Sequence, residues 1–304
     1  MFVLNSINDT DTHKQLYLAV ALTAYLFTVF VNLTLIVTIC LEKALHEPMY
    51  FFVCNLCVNA MLGANTFYPR FIFDLSTQVY LISYYECLLQ NCLIFYYVFC
   101  EYTSLAVMAY DRFVAVCRPL EYHSVMTPRR VLHLVLFTWL FTLVEVAVGG
   151  GLTSRLPMCG TRITRIYCSN WPIVKLSCPG ADTTGNSLYG YVLLFIHVSQ
   201  AMLIVVSYIH IIRTSLRSTS GWAKFLQTCL PHLITLVNFN VALVLDMFDS
   251  RFGLYQRSQA SRNFMSVEFL VVPPLINPLI YGMSLTKIRR RIIKFCKHQI
   301  KPTI

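Results

Sequence analysis

Apolar runs of membrane-crossing length, separated by short polar stretches, dominate this chain. Residues 15–41, 49–69, 183–212 and 225–245 contain no Asp, Glu, Lys or Arg, and about 20 apolar residues suffice to cross a bilayer as a helix. Three further runs each carry an acid inside: about 88–117 with Glu101, 131–153 with Glu145, and 263–285 with Glu268. The pattern predicts seven spans. Only a helix satisfies its backbone hydrogen bonds within one segment, so the predicted fold class is an all-α membrane protein, a seven-transmembrane-helix bundle. Pro69, Pro231, Pro273, Pro274 and Pro278 then read as kinks that packed neighbours make tolerable. Residues 1–304 are expected to form a single seven-transmembrane domain, with an outer tail over about 1–16 and a cytoplasmic helix and tail over about 285–304. That leaves no room for a soluble catalytic domain.

Composition sharpens this. Hydrophobic residues make up 57% of the chain and charged residues 12%, about half the usual share of a soluble domain. The net charge of +10 points to no nucleic acid, because the basic residues sort by loop. With the C-terminus cytoplasmic, fifteen Lys and Arg fall on the inner side and nine on the outer, which satisfies the positive-inside rule. The N-terminus is then outside, in a plasma-membrane protein. Asn8-Asp9-Thr10 is a glycosylation sequon in that outer tail, whereas Asn32-Leu33-Thr34 lies within a span and should stay unmodified. Met1–Thr12 lacks the basic start and apolar core of a cleavable signal. In the C-terminal tail, Leu285, Ile288, Ile292, Phe295 and Cys296 form an apolar stripe opposite Lys287, Arg289, Arg290, Arg291, Lys294 and Lys297. That predicts a short amphipathic helix lying on anionic membrane lipids, where Cys296 is a candidate for palmitoylation.

Of the twelve cysteines, Cys40, Cys54, Cys57, Cys92, Cys100 and Cys229 lie in spans and read as small buried hydrophobes. The Cys54-Asn55-Leu56-Cys57 spacing lacks the polar surroundings that redox or zinc chemistry needs. Cys87, Cys159, Cys168 and Cys178 face the outer, oxidising side and imply two disulfides, with three pairings open. An ionisable group within a membrane helix needs a reason. Glu101 reads as part of a polar network joining helices, and Glu145 and Glu268 as facing either a ligand cavity or the bundle interior. His197, His210 and His232 have no ligand spacing with one another, so no metal or other cofactor is expected.

Met108-Ala109-Tyr110-Asp111-Arg112-Phe113 closes the third span and is followed by Cys117-Arg118-Pro119-Leu120-Glu121-Tyr122. An acid beside an arginine at a cytoplasmic helix end can hold the guanidinium in one state and release it to a partner in another. Ser207-Tyr208 ends the fifth span, and Asn277-Pro278-Leu279-Ile280-Tyr281 lies near the end of the seventh. The Asn-Pro step removes a backbone hydrogen bond and supplies a hinge, and both tyrosines can meet Arg112 when helices move. With these three signals in order on seven spans, the sequence resembles a rhodopsin-like G-protein-coupled receptor, and specifically an olfactory receptor. Pro48-Met49-Tyr50-Phe51-Phe52, Met108–Glu121, Ile211-Ile212-Arg213-Thr214, Thr228-Cys229 with His232-Leu233, and Pro273–Tyr281 carry the likeness over nearly the whole chain. Arg251-Phe252-Gly253 and Gly282–Arg289 resemble the fish-like class, which tends to detect water-soluble compounds. Four positions depart from the family pattern. Ala60, beside Asn59, stands where the family has an acid, so the acidic pair with Glu101 is incomplete; Phe113, Pro231 and Asn240 replace a tyrosine, a serine and an aromatic.

The resemblance implies that Cys87 pairs with Cys168 and Cys159 with Cys178. It also implies an odorant as ligand, a stimulatory heterotrimeric G protein as partner, and a place in sensory-neuron cilia. Asp111, Arg112, Tyr208, Asn277, Pro278, Tyr281 and Glu101 form the expected activation set. The ligand cavity is expected among the outer halves of spans three to seven, under the long outer loop over about 154–187. Phe95, Val98 and Tyr102 repeat at helical spacing on span three, and Glu145, Trp171, Tyr189, Leu243 and Met247 are candidates to join them. Arg251 aligns with an arginine that engages carboxylates in fish-like receptors, and a guanidinium suits that two-pronged contact; this makes the expected ligand small, water-soluble and anionic. Two other classes are disfavoured. A transporter would need paired half-helices or acids along a continuous path. An enzyme would need a catalytic motif, and Gly149-Gly150-Gly151 alone makes no phosphate loop. A non-olfactory peptide or amine receptor shares the scaffold and is the nearest alternative.

Overall fold

A computed structural model describes residues 1–5, 11–217, 222, 225–226, 229–252, 259–285 and 288–291, with side chains for all of these except 11–13, 244–252, 259–266 and 283–284. Its long helices are α1 (Asp11–Leu41), α2 (Pro48–Thr77), α3 (Tyr84–Cys117), α5 (Pro128–Ser154), α7 (Thr184–Ser215), α8 (Leu230–Phe252) and α9 (Gln259–Ser284). Two short helices, α4 (Tyr122–Val125) and α6 (Asn170–Val174), lie in connections. The seven-helix expectation holds. α1, α2, α3, α5 and α7 are each long and apolar enough to cross a membrane, and α8 and α9 carry the apolar stretches Leu230–Leu243 and Val267–Gly282. Large apolar side chains such as Phe30, Leu140, Phe195 and Leu203 stand exposed on the outer faces of these helices, as a lipid-facing surface requires. The chain is a multi-pass membrane protein.

Helix starts follow from local chemistry. Ser83 and Glu86 form a reciprocal capping box at the start of α3, with Glu86 N donating to Ser83 Oγ at 3.2 Å and Ser83 N to Glu86 Oε2 at 3.1 Å. Thr127 caps α5 ahead of Pro128, and Pro48 opens α2; proline at the first turn forgoes only an N–H that has no helical partner. Two boundaries differ from the charge-free runs. α2 continues past Pro69 and Arg70 to Thr77 because Arg70 pairs with Asp74 at 2.9 Å, one turn on. It ends at Gln78, whose φ of 55° is left-handed. α1 begins at Asp11, inside what sequence reads as tail.

α3 is the central helix, packing against α2, α5, α7 and α8. Internal prolines in α9 set up two ties between helices. Pro273 and Pro278 lack the N–H groups that would bond the carbonyls four residues back. Tyr97 of α3 donates its hydroxyl to the Phe269 carbonyl at 3.1 Å, and Asn32 of α1 donates to the Pro274 carbonyl at 2.9 Å. The kinks are therefore satisfied by neighbours, and Asn32 is fully buried. At Gly63 a Cβ would fall 2.7 Å from the Tyr97 ring, so glycine there lets α2 and α3 approach.

At the end of the bundle holding Cys87, the N-terminal residues form structure that sequence did not predict. Strand β1 (Phe2–Val3) pairs antiparallel with β2 (Leu81–Ile82), and Val3 and Asn5 donate backbone bonds to the Thr161 and Arg165 carbonyls of the long connection. Phe2, Leu4, Ile82, Ile163 and Ile173 make a small core around the disulfide Cys87–Cys168. A second disulfide joins Cys159 to Cys178. At the other end, residues 288–291 are helical, with Leu285 and Ile288 buried and Arg289 and Arg290 exposed. The rest of the tail stripe, including Ile292, Phe295 and Cys296, lies outside the described residues, as does Asn8.

Candidate ligand cleft and activation site

The two sites lie at different levels of the bundle. Near the end of α3 opposite Cys87, the Arg112 guanidinium is clasped by the neighbouring Asp111 carboxylate, and both are buried. The other oxygen of Asp111 accepts the Tyr122 hydroxyl at 2.9 Å. Tyr122 belongs to α4, beyond the membrane span, and burial followed by the charge of Asp111 push its phenol above the usual tyrosine range; it therefore stays a donor. A small cavity beside Arg112 is lined by Met49, Met108, His232, Tyr281 and Leu285. Among the described residues Tyr208 makes no hydrogen bond to Arg112. It hydrogen-bonds His232 across α7 and α8, giving that histidine a partner the sequence had not suggested.

Further along α3, the fully buried Glu101 accepts from Asn59 Nδ2 at 2.8 Å and Asn277 Nδ2 at 3.0 Å. It thereby joins α2, α3 and α9. Asn59, beside Ala60, thus supplies Glu101 with an amide donor. Pro278, next to Asn277, frees the Pro274 carbonyl that Asn32 fills, so the hinge and the network share one layer.

The larger of the two cavities is a cleft between α3, α5 and α7, with about 430 Å³ of empty space including the part open to solvent. Asn91, Cys92, Phe95 and Phe99 line it from α3, Glu145, Gly149 and Gly150 from α5, Tyr189 and Leu193 from α7, and Asn170 from α6. Of the ligand candidates, the structure brings Phe95, Glu145 and Tyr189 together there, while Val98 packs in the core. Tyr102 donates to Asn240 of α8 at 2.7 Å, so the asparagine in place of an aromatic is a hydrogen-bond partner. Trp171 stands under the Lys175 ammonium in the connection, away from the cleft lining, and Leu243 packs against the core. Met247 and Arg251 lie outside the residues whose side chains are described. Among the residues whose side chains are described, the cleft's walls come from spans three, four and five and from α6. Glu268 is half-buried on α9 and does not line it.

The glycine run shapes the cleft. A Cβ at Gly150 would come within 2.8 Å of Cys92 Sγ, and one at Gly149 within 3.3 Å of the Tyr189 ring. Tyr189 fastens α7 to α5 by donating to the Glu145 backbone carbonyl at 2.7 Å. The Glu145 carboxylate itself is buried and accepts from no group among the described residues. Asn91 and the two glycines were missed from sequence, where the glycine run was weighed only as a phosphate loop.

A bundle of this order, with Arg112 clasped beside a helix end and a disulfide-tied cap at the other, has the architecture of a rhodopsin-type receptor. Crystalline squid rhodopsin superposes with a TM-score of 0.76 at 14% identity, covering 96% of this chain and 88% of that one. The family model for the olfactory receptor matches residues 21–299. Olfactory receptor 1468 of Rattus norvegicus is 31% identical over 98% of this chain and 95% of its own length, and olfactory receptor 9S13 of Mus musculus is 36% identical over 93% and 85%. The chain belongs to the olfactory receptor family. It is a receptor and not an enzyme.

Proposed function

We propose that this chain is an odorant receptor of the plasma membrane that binds a small molecule from outside and activates a heterotrimeric G protein of the stimulatory type inside. In this reading the N-terminal cap and both disulfides face outward, Asn8 carries glycan, and the Arg112 end meets the G protein. The surrounding lipids hold the tail helix, and sensory-neuron cilia are the site of action. The observation that carries the reading is the Asp111–Arg112 clasp, closed by Tyr122, at the base of a bundle whose other half holds a cleft between α3, α5 and α7. A ligand that favours the state with Arg112 released shifts the population toward coupling. The expectation of an anionic ligand rests on Arg251 and its alignment.

Arg112→Ala tests the coupling. Ligand-stimulated nucleotide exchange should fall to background while surface expression and ligand binding persist. A well-expressed Arg112→Ala chain that signals fully removes the G-protein reading.

A further inference from the structure

Glu145 is the one acidic side chain among the described residues that line the cleft, and it is only 4% exposed. Neither carboxylate oxygen accepts a hydrogen bond among the described residues. A buried carboxylate is costly unless donors or an opposite charge offset the lost hydration. The nearest ring nitrogen does not supply one. His197 Nδ1 lies 3.1 Å from Gln200 Oε1. His197 Nε2 lies 4.0 Å from Glu145 Oε1, beyond hydrogen-bond reach, and makes no hydrogen bond among the described residues. Asn91 Oδ1, from the opposite wall, is a further acceptor without a donor. Glu145 and Asn91 thus bring acceptors without donors to the lining of one cleft, and no lysine or arginine is among its described lining residues.

One ammonium group answers this arrangement. It carries three N–H donors, which suit the two unpartnered oxygens of one carboxylate. We propose that the cleft between α3, α5 and α7 recognises a small primary amine, its protonated nitrogen held by Glu145 and its apolar body by Phe95, Phe99 and Leu193. This names a ligand class for the receptor read above and rests on that reading for its consequence. The site differs from the one expected at Arg251 in the sign of the charge it would bind.

Cys92, which lines the same cleft, makes the chemistry measurable without signalling. The purified full chain is treated with 2-aminoethyl methanethiosulfonate, a cation, or 2-sulfonatoethyl methanethiosulfonate, an anion. Each forms a mixed disulfide with a thiol and releases methanesulfinate. Labelling at Cys92 is followed by mass spectrometry, with exposed Cys40 on α1 as internal reference. The cation-to-anion rate ratio at Cys92 should exceed that at Cys40 by about tenfold or more, the effect of one close opposite charge at a partly screened site. Glu145→Gln should bring the two ratios together, and Glu145→Asp should keep most of the difference. In addition, 2-phenylethylamine should slow labelling of Cys92 by neutral methyl methanethiosulfonate, and 2-phenylethanol should not. A Cys92 ratio unchanged by Glu145→Gln, or equal protection by amine and alcohol, overturns the proposal. If these rates behave as stated while no amine stimulates nucleotide exchange, the site stands and the proposed G-protein coupling is what fails.

Discussion

Asp111 holds Arg112 with one oxygen and the Tyr122 hydroxyl with the other, so the residue that restrains the arginine is itself restrained. If releasing Arg112 is part of activation, Tyr122→Phe removes a bond made only in the resting state. A neutral hydrogen bond contributes about 1 kcal/mol net, or roughly fivefold in the balance of two states. Basal nucleotide exchange by Tyr122→Phe should therefore rise a few-fold at equal surface expression, with maximal ligand response unchanged. An unchanged or lower basal rate shows that the clasp does not set the resting state. Because the phenol is pushed above its ordinary range, the difference from wild type should not vary across physiological pH. Sequence shows the Arg-Pro-Leu-Glu-Tyr stretch but not this contact, because Tyr122 reaches Asp111 only after the chain turns back below α3. Glu101 was more legible, since an acid inside a span demands partners. Which amides supply them depends on the register of α2 and α9 against α3.

Spans are the most legible elements here, because a bilayer fixes both the length and the apolarity that a crossing helix needs. Their ends are less so. Arg70 and Asp74 look like the close of a span and instead neutralise each other one turn apart, and strands of two residues such as β1 and β2 are too short to show a period. Close helix approaches are also hidden, because a glycine in an apolar run carries no sign of what faces it. Gly63 and Gly151 separate the cases. A methyl at Gly63 would meet the ring of Tyr97, which is fully buried and hydrogen-bonded to α9, whereas one at Gly151 meets nothing within 4 Å. Overpacking costs about 1–3 kcal/mol, while Gly to Ala in an open helix position gains up to about 1 kcal/mol. Gly63→Ala should thus lower the thermal midpoint of the purified protein, and Gly151→Ala should leave it unchanged or raise it. Equal shifts in both would mean that the α2–α3 spacing is set elsewhere.

Across the whole molecule, the two disulfides sit at one end but tie the chain over different distances. Cys159–Cys178 closes a separation of 19 residues within the long connection, and Cys87–Cys168 one of 81 that fixes the connection to α3. The longer tie also lies inside the small core built on Phe2, Leu4, Ile82, Ile163 and Ile173, with the Cys168 N–H donating to Gln90 at 3.0 Å. Its loss would therefore loosen the N-terminal strand and the roof above the cleft together. In chain-entropy terms the longer closure contributes about 1 kcal/mol more than the shorter, within the usual 2–5 kcal/mol for a structural disulfide. Cys87→Ser and Cys168→Ser should reduce surface expression to the same extent, and the double variant should be no worse, because one bond is lost only once. Cys159→Ser and Cys178→Ser should likewise match each other at a smaller loss. Quantitative surface labelling of the six variants, four single and two double, decides it. Additive defects for Cys87 and Cys168 would reject that pair, and a larger loss from the Cys159 variants would mean that the fold of the connection, rather than its tether to α3, governs assembly of this end of the receptor.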